Sequence, residues 1–138
     1  MSESTAIRNP NLVTGVLEEA AEDRIVLSVP ETSYRISLSV YKPVSTPVGK
    51  RLSGTIRAQA MRIDTVKTGG RFIDPVFGRP RRVQGVITAI DASERTVTIN
   101  AGVPVVCKTD VRQNPNDFSI GDFVACSVQP GASFSVSV

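Results

Sequence analysis

Histidine and tryptophan are absent from this 138-residue chain, cysteine and methionine occur twice each, and aromatic residues make up only 5%. Without histidine the usual neutral-pH general base is missing. No G-x-S-x-G elbow, Walker loop or G-x-G-x-x-G fingerprint occurs; "TGGRF" and "VGKRL" share letters with phosphate loops but not their spacing. Asp64, Asp74, Asp91, Asp110, Asp117 and Asp122 fall mostly at turn positions, where aspartate bonds nearby backbone N–H groups. Cys107 and Cys126 lie 19 residues apart with no CxxC, which is neither a disulfide framework nor a zinc site. They read as buried thiols, since free cysteine packs like a small hydrophobe. No apolar run approaches the roughly 20 residues of a membrane span. The opening "MSESTAIRNPNL" has no apolar signal core, so a cytoplasmic location is expected. The chain therefore reads as a non-enzymatic protein that uses no cofactor and no metal.

What is present is strand alternation. Tyr34, Ile36, Leu38 and Val40 alternate with Arg35, Ser37, Ser39 and Tyr41, and Val103, Val105, Cys107, Thr109 and Val111 keep the same rhythm. Period two with β-branched enrichment predicts strands with one buried face. "LEEAAED" (17–23) resembles a helical turn but sits between strand patterns and reads as a polar hairpin.

The two halves also resemble each other. At a register of about 72 residues, Glu22 pairs with Glu94, Ile25 with Val97, Leu27 with Ile99, Pro43 with Pro115, Gly49 with Gly121 and Ile56 with Val128. The openings "GVLEEAAEDRIVL" and "GVITAIDASERTVTI" match if the second hairpin is two residues longer, with a one-residue slip in the third strand. An internal duplication follows. The expected fold is all-β: two tandem, small, OB-like, five-stranded β-barrels, since closure removes sheet edges that would otherwise aggregate. The expected layout is a tail at 1–11, a first barrel at 12–68, a docked connection at 69–82, and a second barrel at 83–138 that includes the C-terminal strand.

"GVITAIDASERTVTINAGVPV" followed by "FSIGDFVACSV" resembles small bacterial OB-like β-barrel families, a group that includes periplasmic copper-chaperone barrels. The resemblance implies the fold. Such chaperones use His, Met and Trp around Cu(I), whereas this chain has only Met1 and Met61, so metal transport is not implied.

Charge is concentrated in the middle. Residues 1–49 carry 4 cations and 6 anions, residues 50–82 carry 9 and 2, and residues 83–138 carry 3 and 5. Within the central segment "KTGGRFIDPVFGRPRR" (67–82), Phe72, Ile73, Val76 and Phe77 are expected to dock, because burying one such side chain is worth about 1.5–3 kcal/mol. Docking in a groove between the barrels and docking on another chain both remain open. Arg51, Arg57, Arg62, Arg71, Arg79, Arg81 and Arg82, with Tyr41 as a stacking candidate, form the expected anionic-partner surface. They would merge into one patch if the segment folded back beside the fourth strand.

Two functions fit. One is a protein-interaction module or homo-oligomeric scaffold, with Phe72, Ile73, Val76 and Phe77 as interface anchors and the tail "ASFSVSV" as a strand that pairs with an edge in its own or another chain. The other is binding of single-stranded nucleic acid or another polyanion through the arginines. No membrane partner is expected.

Overall fold

Apart from one turn of 3-10 helix at Pro115–Asp117, the regular structure in the computed structural model, which describes residues 9–137, is entirely β. Eleven strands follow in order. The first half holds β1 (Val13–Ala20), β2 (Arg24–Ser28), β3 (Arg35–Ser39) and the long β4 (Arg51–Thr65). The connection holds the short β5 (Phe72–Asp74) and β6 (Phe77–Gly78). The second half holds β7 (Arg82–Asp91), β8 (Thr96–Asn100), β9 (Pro104–Lys108), β10 (Phe123–Val128) and β11 (Ser133–Val136). The "LEEAAED" stretch is the β1–β2 hairpin and its turn, as its flanking alternation predicts. Among the described residues no helix is long and apolar enough to cross a membrane.

The pairings close into two barrel-like rings that share β4. One ring runs β1-β2-β3-β11-β4 and returns to β1; the other runs β4-β10-β7-β8-β9 and returns to β4. Along β4, Arg51–Gly54 pair with β1 and Gly54–Arg57 with β11. Ile56–Gln59 then run parallel to β9, and Ala60–Thr65 antiparallel to β10. One strand therefore serves the first ring with its beginning and the second with its end. The C-terminal strand, expected in the second barrel, is placed otherwise: β11 pairs with β4 and, through Ser133 and Ser39, with β3. The reason is reach. β10 ends near the midpoint of β4, and the short Gln129–Ala132 connection carries the chain on along the same edge of that strand, so that β11 reaches its first half.

Burial follows the alternation. In β4, Leu52, Gly54, Ile56, Ala58 and Ala60 are buried, and the phase then slips to Ile63. The slip coincides with a bulge opposite Cys126 and Val128. Other bulges fall at Leu17/Glu19 and Ile87/Ala89, whereas the β2–β3 and β8–β9 ladders are unbroken. No bulge therefore marks the expected one-residue slip in the third strand; instead the turns differ by three residues, 29–34 between β2 and β3 against 101–103 between β8 and β9. Ile56 lies opposite Phe134 on one side and Val105 on the other, and a single cluster of buried side chains runs through both rings.

The connection is stitched to both rings. Phe72, Ile73 and Asp74 pair with Gln84, Val83 and Arg82 of β7, and Phe77 and Gly78 run parallel to Arg35 and Ile36 of β3. Tyr34, read from its phase as a core residue, is buried. Its hydroxyl accepts from the Ile73 N–H (3.0 Å) and donates to the Ala101 carbonyl (2.7 Å). It thus joins a turn of the first ring, the connection and a turn of the second. Tyr34→Phe leaves a buried donor and acceptor without that partner, so urea denaturation should show a loss of about 1–3 kcal/mol. An unchanged midpoint would mean that the bridge is immaterial.

Candidate nucleic-acid interface

Directly opposed residues in a ladder share a face, so pairings can be read across strands. Arg24 lies opposite Ser39, Ser39 opposite Ser133, Ser133 opposite Arg57, and Arg57 opposite Val106, which faces Thr98. At about 4.8 Å per strand these five steps cover about 24 Å. Arg24, Ser39 and Arg57 are exposed, and Ser133 is half-buried. Val106 and Thr98 are buried, and the Thr98 hydroxyl hydrogen-bonds the Asn11 side chain. The track is therefore open over the first ring and β4, and closed beyond.

Two concavities flank this row and share Gly131 of the β10–β11 connection. One, of about 210 Å³, is lined by Arg24, Arg79, Asp23, Ser37 and Ser39. The other, of about 290 Å³, is lined by Arg57, Lys108, Gln59, Glu94, Thr96 and Ser133. Four cations and two carboxylates therefore border a hydroxyl-rich ridge. Val40 N–H donates to the Asp23 carbonyl, which holds the end of β3 beside the first concavity, and the next residue, Tyr41, is fully exposed. At the other end of β3 the Arg35 guanidinium sits 4.4 Å over the Phe77 ring and pairs with Glu18 at 2.8 Å.

The arginines singled out from the sequence are all exposed but do not form one patch. Arg57 and Arg79 border the two separate concavities that share Gly131. Arg51 and Arg62 stand near opposite ends of β4. At ~3.3 Å per residue that separation is about 36 Å along the strand. Arg62 is paired with Asp64 at 2.8 Å and shares a separate concavity with Asp110, Arg112 and Gln113. Arg112 beside Asp110 holds that carboxyl below the usual carboxylate range. Arg71, Arg81 and Arg82 lie along the connection and the start of β7.

Of the four apolar anchors, Ile73 docks fully at 1% exposure and Phe72 is half-buried. Val76 and Phe77 do not dock within the chain, at 47% and 57% exposure. The Arg35 side chain covers part of the Phe77 ring, which lowers the cost of leaving it at the surface.

Arg24 and Lys108 are missed by the sequence reading, because each sits in a segment of net negative charge. The signal for Arg24 is its outward phase next to Ile25 and Leu27; for Lys108 it is its place after Cys107 in the alternating run. The cysteines are both buried, as expected. They are also neighbours: a hydrogen bond with Cys126, together with burial, pushes the Cys107 thiol well above its ordinary value. Among the described residues no group of three or more His, Cys, Asp or Glu is placed to hold a metal ion.

No protein-family model matches the chain, and no curated protein matches it.

Proposed function

We propose that this protein is a non-enzymatic binding module whose face across the first ring and the adjoining β9, from Tyr41 and Arg24 to Arg57 and Lys108, takes a single-stranded nucleic acid. The observation that carries this reading is the cross-strand row Arg24–Ser39–Ser133–Arg57 with cations on both sides of Gly131. Guanidinium matches phosphate in a bidentate fork, and serine hydroxyls donate to phosphate oxygens between the cations. An extended strand suits an open track of three strand spacings, about 14 Å long, and Tyr41 and Phe77 offer stacking surfaces near the two ends of β3. OB-like barrels bind oligonucleotides on the corresponding strand face.

The finer architecture supports the same reading. We take the two rings as OB-like barrels from an internal duplication in which each half supplies the other's fifth strand. At the matched register β4 corresponds to β10 followed by β11. The repeat extends upstream, where "PNLVTGV" (10–16) aligns with "PRRVQGV" (80–86). The charged track belongs to the first ring, with Arg79 added from the connection and Lys108 from β9.

The test is fluorescence anisotropy of a labelled single strand of about 12 nucleotides at about 50 and 200 mM salt. Neutralising three phosphates predicts a loss of roughly 20-fold between those salts, from a slope near 0.7 per phosphate. Arg24→Ala with Arg79→Ala should weaken binding by an order of magnitude or more. A flat titration would overturn the proposal.

A second reading rests on the exposed Val76–Phe77 tip: self-association or docking of a protein partner there, with Arg35 at its rim. Light scattering on the same samples separates the two. A defined oligomer that persists in salt and is lost in Phe77→Ser would favour assembly.

A further inference from the structure

The concavity on the β4–β9 side of Gly131 differs in kind from its neighbour. Its two cations come from adjacent strands: Arg57 lies opposite Val106, and Lys108 is two residues further along the same face of β9, opposite Gln59. Adjacent strands and two residues of rise put their Cα atoms about 8 Å apart, so both side chains reach one tetrahedral anion between them. Thr96, opposite Lys108, adds a hydroxyl, and Ser133, opposite Arg57, adds another. Beyond this point Val106 and Thr98 are buried, and Asn11 is hydrogen-bonded across Thr98. A bound strand following the row meets a wall here. Glu94 stands on the rim of the same cleft.

We infer that this junction cleft is a terminal phosphodiester subsite of the nucleic-acid track: Arg57 and Lys108 clamp one backbone phosphate, and Glu94 opposes it. The inference rests on the single-strand reading above. Glu94 gives it a distinctive consequence, because a carboxylate beside a phosphate weakens binding and its neutralisation strengthens it. A fold defect does not tighten binding, so the Glu94 variant separates the subsite from general destabilisation.

The experiment is anisotropy with labelled oligothymidylate and oligouridylate of about 12 nucleotides, at several salt concentrations. Unlabelled inorganic phosphate and heparin serve as competitors. Wild type is compared with Arg57→Ala/Lys108→Ala, with Glu94→Gln, and with Arg24→Ala/Arg79→Ala. The expected result is about a 10-fold loss in the Arg57/Lys108 variant. Its log–log salt slope should shrink by about 0.7, the value for one phosphate contact on a single strand. Glu94→Gln should bind 2- to 5-fold tighter, as rough expectations for relieving one like charge. If Arg57→Ala/Lys108→Ala binds like wild type while Arg24→Ala/Arg79→Ala does not, the subsite is overturned and the track stands. If wild type binds neither oligonucleotide, both fall. Displacement by heparin but not by inorganic phosphate supports a phosphate held as part of a chain. Displacement by millimolar inorganic phosphate would overturn the phosphodiester assignment.

Discussion

Removing residues 129–138 is expected to abolish the native thermal transition of the whole chain, even though only four residues of β11 pair. Phe134 is 3% exposed and lies opposite Ile56, which is fully buried at the meeting point of the two rings. Deleting an aromatic side chain from such a site costs about 3–5 kcal/mol. The deletion also leaves one edge of β4 from Gly54 to Arg57 without its ladder partner. The total approaches the 5–15 kcal/mol of stability typical of a domain, so the truncated chain is expected to show no cooperative transition. Because β11 is a separate terminal strand inserted between β3 and β4, a synthetic peptide covering 129–138 should restore the transition in trans, as strand addition does elsewhere. A truncated chain that melts like the full one would show that β11 is dispensable and that the first ring closes without it.

Gly85→Ala is expected to be the most damaging single-methyl addition. A Cβ at Gly85 would lie on the Asn100 carbonyl oxygen, 2.6 Å from its carbon and 3.0 Å from the Ala101 nitrogen. All three are backbone atoms at the end of β8, so no rotamer change relieves the clash. The cost should be about 3 kcal/mol or more, at the upper end of the range for overpacking. Gly15 occupies the matched place in β1, but its nearest neighbour is the Leu27 side chain at 2.7 Å, with the Ser28 carbonyl oxygen at 2.8 Å. Gly15→Ala should therefore cost less, because Leu27 can move in part. Gly121→Ala is the control: its φ is +100° and nothing lies within 4 Å of an added Cβ. Only the left-handed backbone penalty applies there, about 1–2 kcal/mol. Urea midpoints for the three variants should rank in that order, and equal losses would contradict the close approach of β7 and β8.

The strands were legible because their residues carry the period: Ile25 and Leu27, Ile36 and Leu38, and Val105 and Cys107 are buried as their alternation requires. Alternation says that a face is buried but not which strand lies alongside. For that reason "ASFSVSV" could be read as a strand while its place beside β4 could not. The same holds for β4, whose unbroken run through both rings shows only as a phase slip between Ala60 and Ile63. For the site, concentrating on the basic middle of the chain found Arg57 and Arg79. It missed Arg24 and Lys108, which reach the track through the register of β2 and β9 rather than through local charge. Phe77 was expected to dock because its ring is apolar. The local outcome was decided by a cation over that ring and by a parallel pairing of two residues, neither of which leaves a sequence signal.

The most direct measurement is amide chemical-shift mapping of the isotope-labelled full chain as an unlabelled single strand is added at low salt. The account predicts that the largest changes fall at residues 22–24, 37–41, 57–59, 106–108 and 131–133, on both sides of Gly131, with little change around Arg62 and Arg112. Shifts confined to Val76 and Phe77, to the Arg62–Arg112 side, or absent altogether would contradict it.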